Sequence, residues 1–426
     1  MTKTAEEKYN EREKRIQDAI QLKKPDRIPI IPFDNGAYFK HCGLNFQEAM
    51  YHPKQYFGAV KKAIMDFDMD AVSSAVVMSG PTFDALDWRQ LKWPGAEVDS
   101  SNTGRDTVYQ FIEPGQGYEA MPPEDYDWFL DDPTDYIIRR HWPRIARSLK
   151  PLENLPPIHD MVAYYVGFVP YLPAYGSSEI RGALESLMDA GKEAIKFYDA
   201  HYSFIGEMAE LGYPPLFRGI GISPYDYIAD FLRGTQGSMV DMFRRPDKLK
   251  RAVEKVTPWV IQWCVNQVGA SKELDYSKRL FIPIHKGAGG FMSNEQFKEF
   301  YWPSMLEVIN GLINKGIVPY VYTEGIYTDR LPIIKDVPKG KVIYHIESDI
   351  FKAIETLMDT ACVEGGPSGP MLSIRTPQEV KDYCKKIIDA VGGRGGFMMG
   401  VEVPMITDKS ENIKAMVDFT KEYGAY

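Results

Sequence analysis

Two short β-branched runs, Ile317 to Tyr322 and Lys341 to Ile346, constrain the fold of this chain more than any other stretch. Runs of that composition bury both faces and form parallel strands, and parallel strands need helical crossovers between them. Each run also ends in groups that carry chemistry: Glu324 follows the first, and His345 and Glu347 close the second. Parallel-sheet enzymes build their sites at such carboxyl ends. Glu402, after the apolar run Gly396 to Val401, extends the set, and Glu324, His345 and Glu402 together are expected to hold a metal ion at one rim of a barrel.

The same strand, loop, helix order recurs along the chain. Further strands are expected at Ile28 to Phe33, Ala71 to Met78, Val162 to Pro170, Phe217 to Ile222, Leu280 to His285 and Ala361 to Glu364. Helices are expected over 4–24, 46–66, 128–151, 177–187, 192–211, 246–268, 349–358 and 377–390, with an amphipathic closing helix after Thr407. About eight strands alternating with helices favour an α/β fold of the TIM (β/α)8 type over a doubly wound sheet. We read residues 1–426 as one such domain, with 1–26 as a helical N-terminal extension and about 97–150 as an inserted or partner-facing segment.

Composition excludes some classes. A net charge of -9 with no long Lys/Arg stripe argues against nucleic-acid binding. The charge-alternating N-terminus is neither signal peptide nor anchor, and no apolar run reaches the roughly 18 residues of a spanning helix, so a cytoplasmic protein without membrane association is expected. Cys42, Cys264, Cys362 and Cys384 form no CxxC pair and read as reduced thiols, so a strand-end metal would take oxygen and nitrogen ligands. Segments expected near the barrel mouth carry Asp34, Asn35, Phe83, Trp88, Phe168, Tyr225, His285 and Tyr322, a mixture able to wall an aromatic substrate. Each has a plainer reading as core, wall or helix cap.

The order of motifs adds more. DRIPIIP, GSMVDMFRRPDKL, GGFMSNEQFKEFYWP, RTPQEV and GGFMMGVEVPMITDKSENIKAMV resemble the uroporphyrinogen decarboxylase superfamily over nearly the whole chain. PEDYDWFL and the region around it look more like the corrinoid-dependent methyltransferase branch, of O-demethylase type. That resemblance implies a TIM barrel that uses Zn2+ and exchanges methyl groups with cobalamin supplied by a partner corrinoid protein. In the coenzyme M methyltransferases of the superfamily an HxC pair and a distant Cys hold zinc. Here Tyr322 and Glu324 stand in the pair's places, Glu402 stands near the third, and His345 could restore the imidazole. Carboxylates and imidazole suit a harder zinc ion and an oxygen substrate.

The expected reaction is therefore methyl transfer from a small methoxylated, aromatic substrate to Co(I) cobalamin. Glu347, Tyr322 and Asp34 are the candidate catalytic groups, with Glu347 alternatively a fourth ligand or a brace on His345. Methylamine or methylthiol donors are alternatives. So is porphyrinogen decarboxylation, although PFDNGAYFKHCG lacks the arginines and AVVMSGPTF the Asp that such a resemblance would require. Homodimerisation is left open.

Overall fold

The computed structural model describes residues 3–33, 36–73, 78–97, 101–403 and 407–426. Its centre is a six-stranded parallel sheet in sequential order. Three short strands, β1 (Leu91–Pro94), β2 (Asn102–Thr103) and β3 (Gln110–Phe111), form a separate sheet with β1 in the middle. The main sheet comprises β4 (Gly219–Ile220), β5 (Asp275–Ile284), β6 (Ile317–Thr323), β7 (Ile343–Ile346), β8 (Cys362–Gly365) and β9 (Phe397–Met399). All seven residues of β6 and all four of β7 and of β8 are buried, which is why these stretches read as continuous apolar runs without alternation.

Hydrogen bonds continue beyond both edges of this sheet. Ile31 N–H donates to Met399 O at 2.8 Å, and Met399 N–H to Pro29 O at 2.8 Å. Asp70 N–H donates to Ile30 O, Val72 N–H to Pro214 O, and Leu216 N–H to Val72 O. Parallel bridges join Ile30 to Met399 and Val72 to Pro215.

A buried ionic floor fixes the amino-terminal side. Arg279 on β5 is fully buried, and its guanidinium donates to Glu13 at 2.7 and 3.0 Å and to the carbonyls of Pro215, Leu216 and Tyr276. Nearby, Asp70 accepts from Arg15 and Arg27 and from the Ile30 amide. The helix Ala5–Ile20, capped by a Thr4/Glu7 box, buries Arg15, Ile16, Ala19 and Ile20 against this floor. This helix is thus part of the packed body.

Several local expectations are corrected. Val162 to Pro170 is not a strand: Tyr164–Phe168 is a π-helical turn leading into the helix Val169–Gly176. The run is as apolar as a core strand, but its side chains stay exposed, Val162 by 84% and Tyr164 by 72%. The helices expected over 177–187 and 192–211 are one 33-residue helix, Ser178–Glu210, because Gly191 at the expected break is accommodated within it. The helix expected over 46–66 is divided at His52, where Pro53 starts a second helix, Pro53–Phe67. Residues 128–151 form short α, π and 3-10 turns in place of one helix, with breaks at Asp132, just before Pro133, and at Ala146. Of the Ala71 to Met78 run, residues 74–77 lie outside the described residues.

Candidate functional site at the carboxyl ends of the strands

Register places the polar groups side by side. Ile284 of β5 pairs with Thr323 of β6, so the next residues, His285 and Glu324, leave adjacent strand ends together. Tyr322 pairs with His345 across β6 and β7, and His345 with Glu364 across β7 and β8.

The first group surrounds His285. Its Nδ1 lies 2.7 Å from Asp230 and its Nε2 3.1 Å from Glu324. Asp226 accepts from the His285 and Lys286 amides at 2.8 and 3.0 Å and from the Tyr301 hydroxyl at 2.6 Å. Lys286 Nζ lies 2.6 Å from Glu113 and 3.2 Å from Asp230. Glu113 follows β3, so the inserted segment reaches into the site. Tyr109, ahead of β3, stands within electrostatic reach of Glu324.

Burial opposes charge on His285, but Asp230, Glu324 and Asp226 outweigh it and raise its pKa well above the usual value. Burial likewise works against the Glu324 carboxylate, yet His285 and Lys286 hold its pKa below normal. Asp226, fully buried and facing Asp230, is raised. Asp226, Asp230 and His285 each bring a ligand atom within 4.8 Å of the others, a grouping able to hold a metal ion.

The second group surrounds His345, which is fully buried. Its Nδ1 lies 2.6 Å from Glu364, and its Nε2 lies 2.7 Å from the backbone oxygen of Glu402. Tyr320 donates to the same Glu364 oxygen. Phe33 packs on the imidazole at 4.4 Å. Glu347 accepts from the Tyr322 hydroxyl at 3.0 Å and the Gly325 amide at 2.6 Å. Burial raises the Glu347 pKa, and the charge of Glu324 adds to it. Burial and the Glu347 charge push Glu402 up to about 7, with His345 opposing.

The structure therefore brings Glu324, His285, Tyr322 and Glu347 to one rim, with His345 beneath. Among the described residues it does not group Glu324, His345 and the Glu402 side chain as ligands: Nδ1 of His345 lies near Glu364, and it is the backbone of Glu402 that meets Nε2. Tyr225 is buried behind the site, 5.4 Å from Tyr301. Phe83 packs on Trp88 and Trp93. Phe168 lines a surface groove with Ile158, Met161, Val162, Leu172 and Tyr175. Asp34 and Asn35 lie outside the described residues.

Sequence reasoning passed over Asp226, Asp230, Lys286, Glu113 and Glu364. The i, i+4 spacing of Asp226 and Asp230, which puts both on one helical face, was the available signal for the first two. Nothing local in the sequence marks Glu113, since its partner Lys286 lies far along the chain.

The sequence profile described as "Uroporphyrinogen decarboxylase (URO-D)" matches residues 215–423, the part of the chain that carries β4 to β9 and the polar groups around His285 and His345 apart from Glu113 and Tyr109. No curated protein sequence matches the chain. Among solved structures, a "methyltransferase from Methanosarcina mazei" superposes with a TM-score of 0.59 at 15% identity, covering 97% of this chain and 98% of that one. At that identity the likeness is one of fold. No helix among the described residues is long and apolar enough to cross a membrane.

Proposed function

We infer that the chain is a methyltransferase that removes a methyl group from a small methoxylated aromatic compound and passes it to Co(I) cobalamin on a separate corrinoid protein. On this reading the edge-to-edge hydrogen bonds through 28–31 and 70–72 complete an eight-stranded barrel, whose rim carries the site. The insert 97–150 overhangs that rim through Glu113.

The observation that carries the proposal is the His285–Glu324 pair. Two ligands on one zinc ion, each about 2.0–2.2 Å from it, stand roughly 3.3 Å apart in tetrahedral geometry. Nε2 and Oε2 already lie 3.1 Å apart, and Asp230 on Nδ1 supplies the carboxylate brace that zinc-bound histidines commonly have. We favour this pair over a set with His345, whose fully buried ring faces Glu364 and the backbone oxygen of Glu402 below the rim. His285 and Glu324 would hold the ion, which when bound supplies Lewis acidity to an ether oxygen.

The remaining work belongs to the chain. Tyr322 and the Gly325 amide fix Glu347 beside Glu324, and burial together with the Glu324 charge shifts Glu347 toward its protonated form. In the proposed step the O–CH3 bond would break with its electron pair left on the phenolic oxygen, and the methyl carbon would pass to the partner's corrinoid, whose Co(I) would supply the electron pair of the new bond. Glu347 donates its proton to the departing oxygen.

Incubating zinc-loaded protein with reduced cobalamin and panels of methoxyarenes, methylamines and methylthiols tests the reading. Methyl-cobalamin should form with the methoxyarenes. Turnover confined to nitrogen or sulfur donors would shift the substrate class, and none with any donor would reject methyl transfer.

A further inference from the structure

The helix Ser178–Glu210 runs 33 residues, about 50 Å at 1.5 Å per residue, and carries two apolar stripes. One, including Ala183, Ala190, Phe197 and Phe204, is buried against the body. The other leaves Met188, Ile195, Tyr198 and Tyr202 exposed by 58, 61, 55 and 68%. Met188, Ile195 and Tyr202 recur every seventh residue, with Tyr198 three after Ile195, which is the spacing of a helix–helix seam. At 100° per residue this second stripe lies roughly 100–160° around the helix from the first, so one packed body cannot cover both.

The arm that precedes the helix also carries exposed apolar side chains. Val162, Tyr164, Tyr165 and Val166 are 84, 72, 69 and 64% exposed. The arm is a built unit: Gly167 sits so close to Asp160 that an added Cβ would lie 1.9 Å from its carbonyl oxygen. Between Leu155 and Ser178, His159 and Asp160 are the only side chains that carry charge near neutral pH. From these fractional exposures the apolar residues of the arm alone leave on the order of 1,000 Å² in water, against roughly 300–600 Å² for the largest patch of an ordinary monomer.

We propose that a second copy of this chain covers the arm and the outer stripe of the long helix, in a two-fold dimer. The area exceeds the roughly 800 Å² that each partner contributes to a stable interface. The arm's scarcity of charge is that of interfaces that stay closed, not of surfaces that dock a partner and release it. A two-fold axis lets the same patch serve on both copies, as an isologous contact requires. The inference is independent of the methyl-transfer reading.

Sedimentation velocity of the full chain at micromolar concentration tests it. The expected mass is twice the 48.5 kDa of one chain. Ile195→Glu with Tyr198→Glu, and separately Val162→Glu with Val166→Glu, should each give a monomer with an unchanged circular dichroism spectrum, since these side chains are mostly exposed. A monomeric wild type overturns the proposal, whether or not a different protein then binds. A dimer unaffected by both double variants overturns it equally.

Discussion

Replacing Glu13 by alanine should destabilise the protein by about 3–5 kcal/mol. All five guanidinium N–H groups of Arg279 are engaged, two with Glu13 and three with backbone carbonyls. Arg279 is fully buried, so the variant strands two donors and an uncompensated charge where water does not reach. The control is Glu11→Ala, which breaks an exposed pair with Lys3 and should cost roughly 0–1 kcal/mol.

Urea unfolding followed by circular dichroism reads both. Burial opposes the Glu13 charge, but Arg279 outweighs it and holds the folded pKa below 4.5. The contribution is therefore present above pH 4.5 and is lost as the pH falls through that lower folded value, so wild type and variant should converge in acid. His285 lies six residues along from Arg279, roughly 20 Å in an extended strand, and site chemistry should survive in the fraction that stays folded. Equal losses for Glu13→Ala and Glu11→Ala would refute the idea of a buried ionic floor.

Other expectations concern the rim. Asp230→Asn should weaken zinc binding about 10–100-fold by loosening the His285 ring, read by competition with a chelating dye at unchanged secondary structure. Gly400→Ala should destabilise by roughly 1–3 kcal/mol, because its Cβ would lie 2.0 Å from the buried Glu364 Oε1; a thermal melt checks it. Glu402, pushed up to about 7, contributes fully below pH 4.5, and that contribution is lost as the pH rises through 7. In metal-free protein, Glu402→Gln should accordingly be more stable than wild type at pH 8 and similar to it at pH 4, measured by urea midpoints.

The strands that carry the site were legible because β6, β7 and β8 bury both faces and so advertise themselves as unbroken apolar runs. The same reasoning misled at Val162 to Pro170, where an equally apolar run is left exposed. Composition reports that a segment avoids water, and not what covers it. The rim was legible in outline, since strand-end residues must converge, and Glu324, Tyr322 and Glu347 do.

Which histidine faces outward was not legible. His345 sits inside β7, where side chains alternate and its ring turns to Glu364, whereas His285 leaves the end of β5. Burial separates a core histidine, His345, from one partly exposed at the rim beside Glu324, His285. The Asp226–Asp230 pair needed its helix placed against β5 before its role could be read.

Metal content after loading and desalting, measured by mass spectrometry, tests the central claim most directly. The account predicts about one zinc per chain in the wild type, its loss in His285→Ala and in Glu324→Ala, and its retention in the folded fraction of His345→Ala. Zinc retained in both of the first two variants, or absent from the wild type, would contradict it.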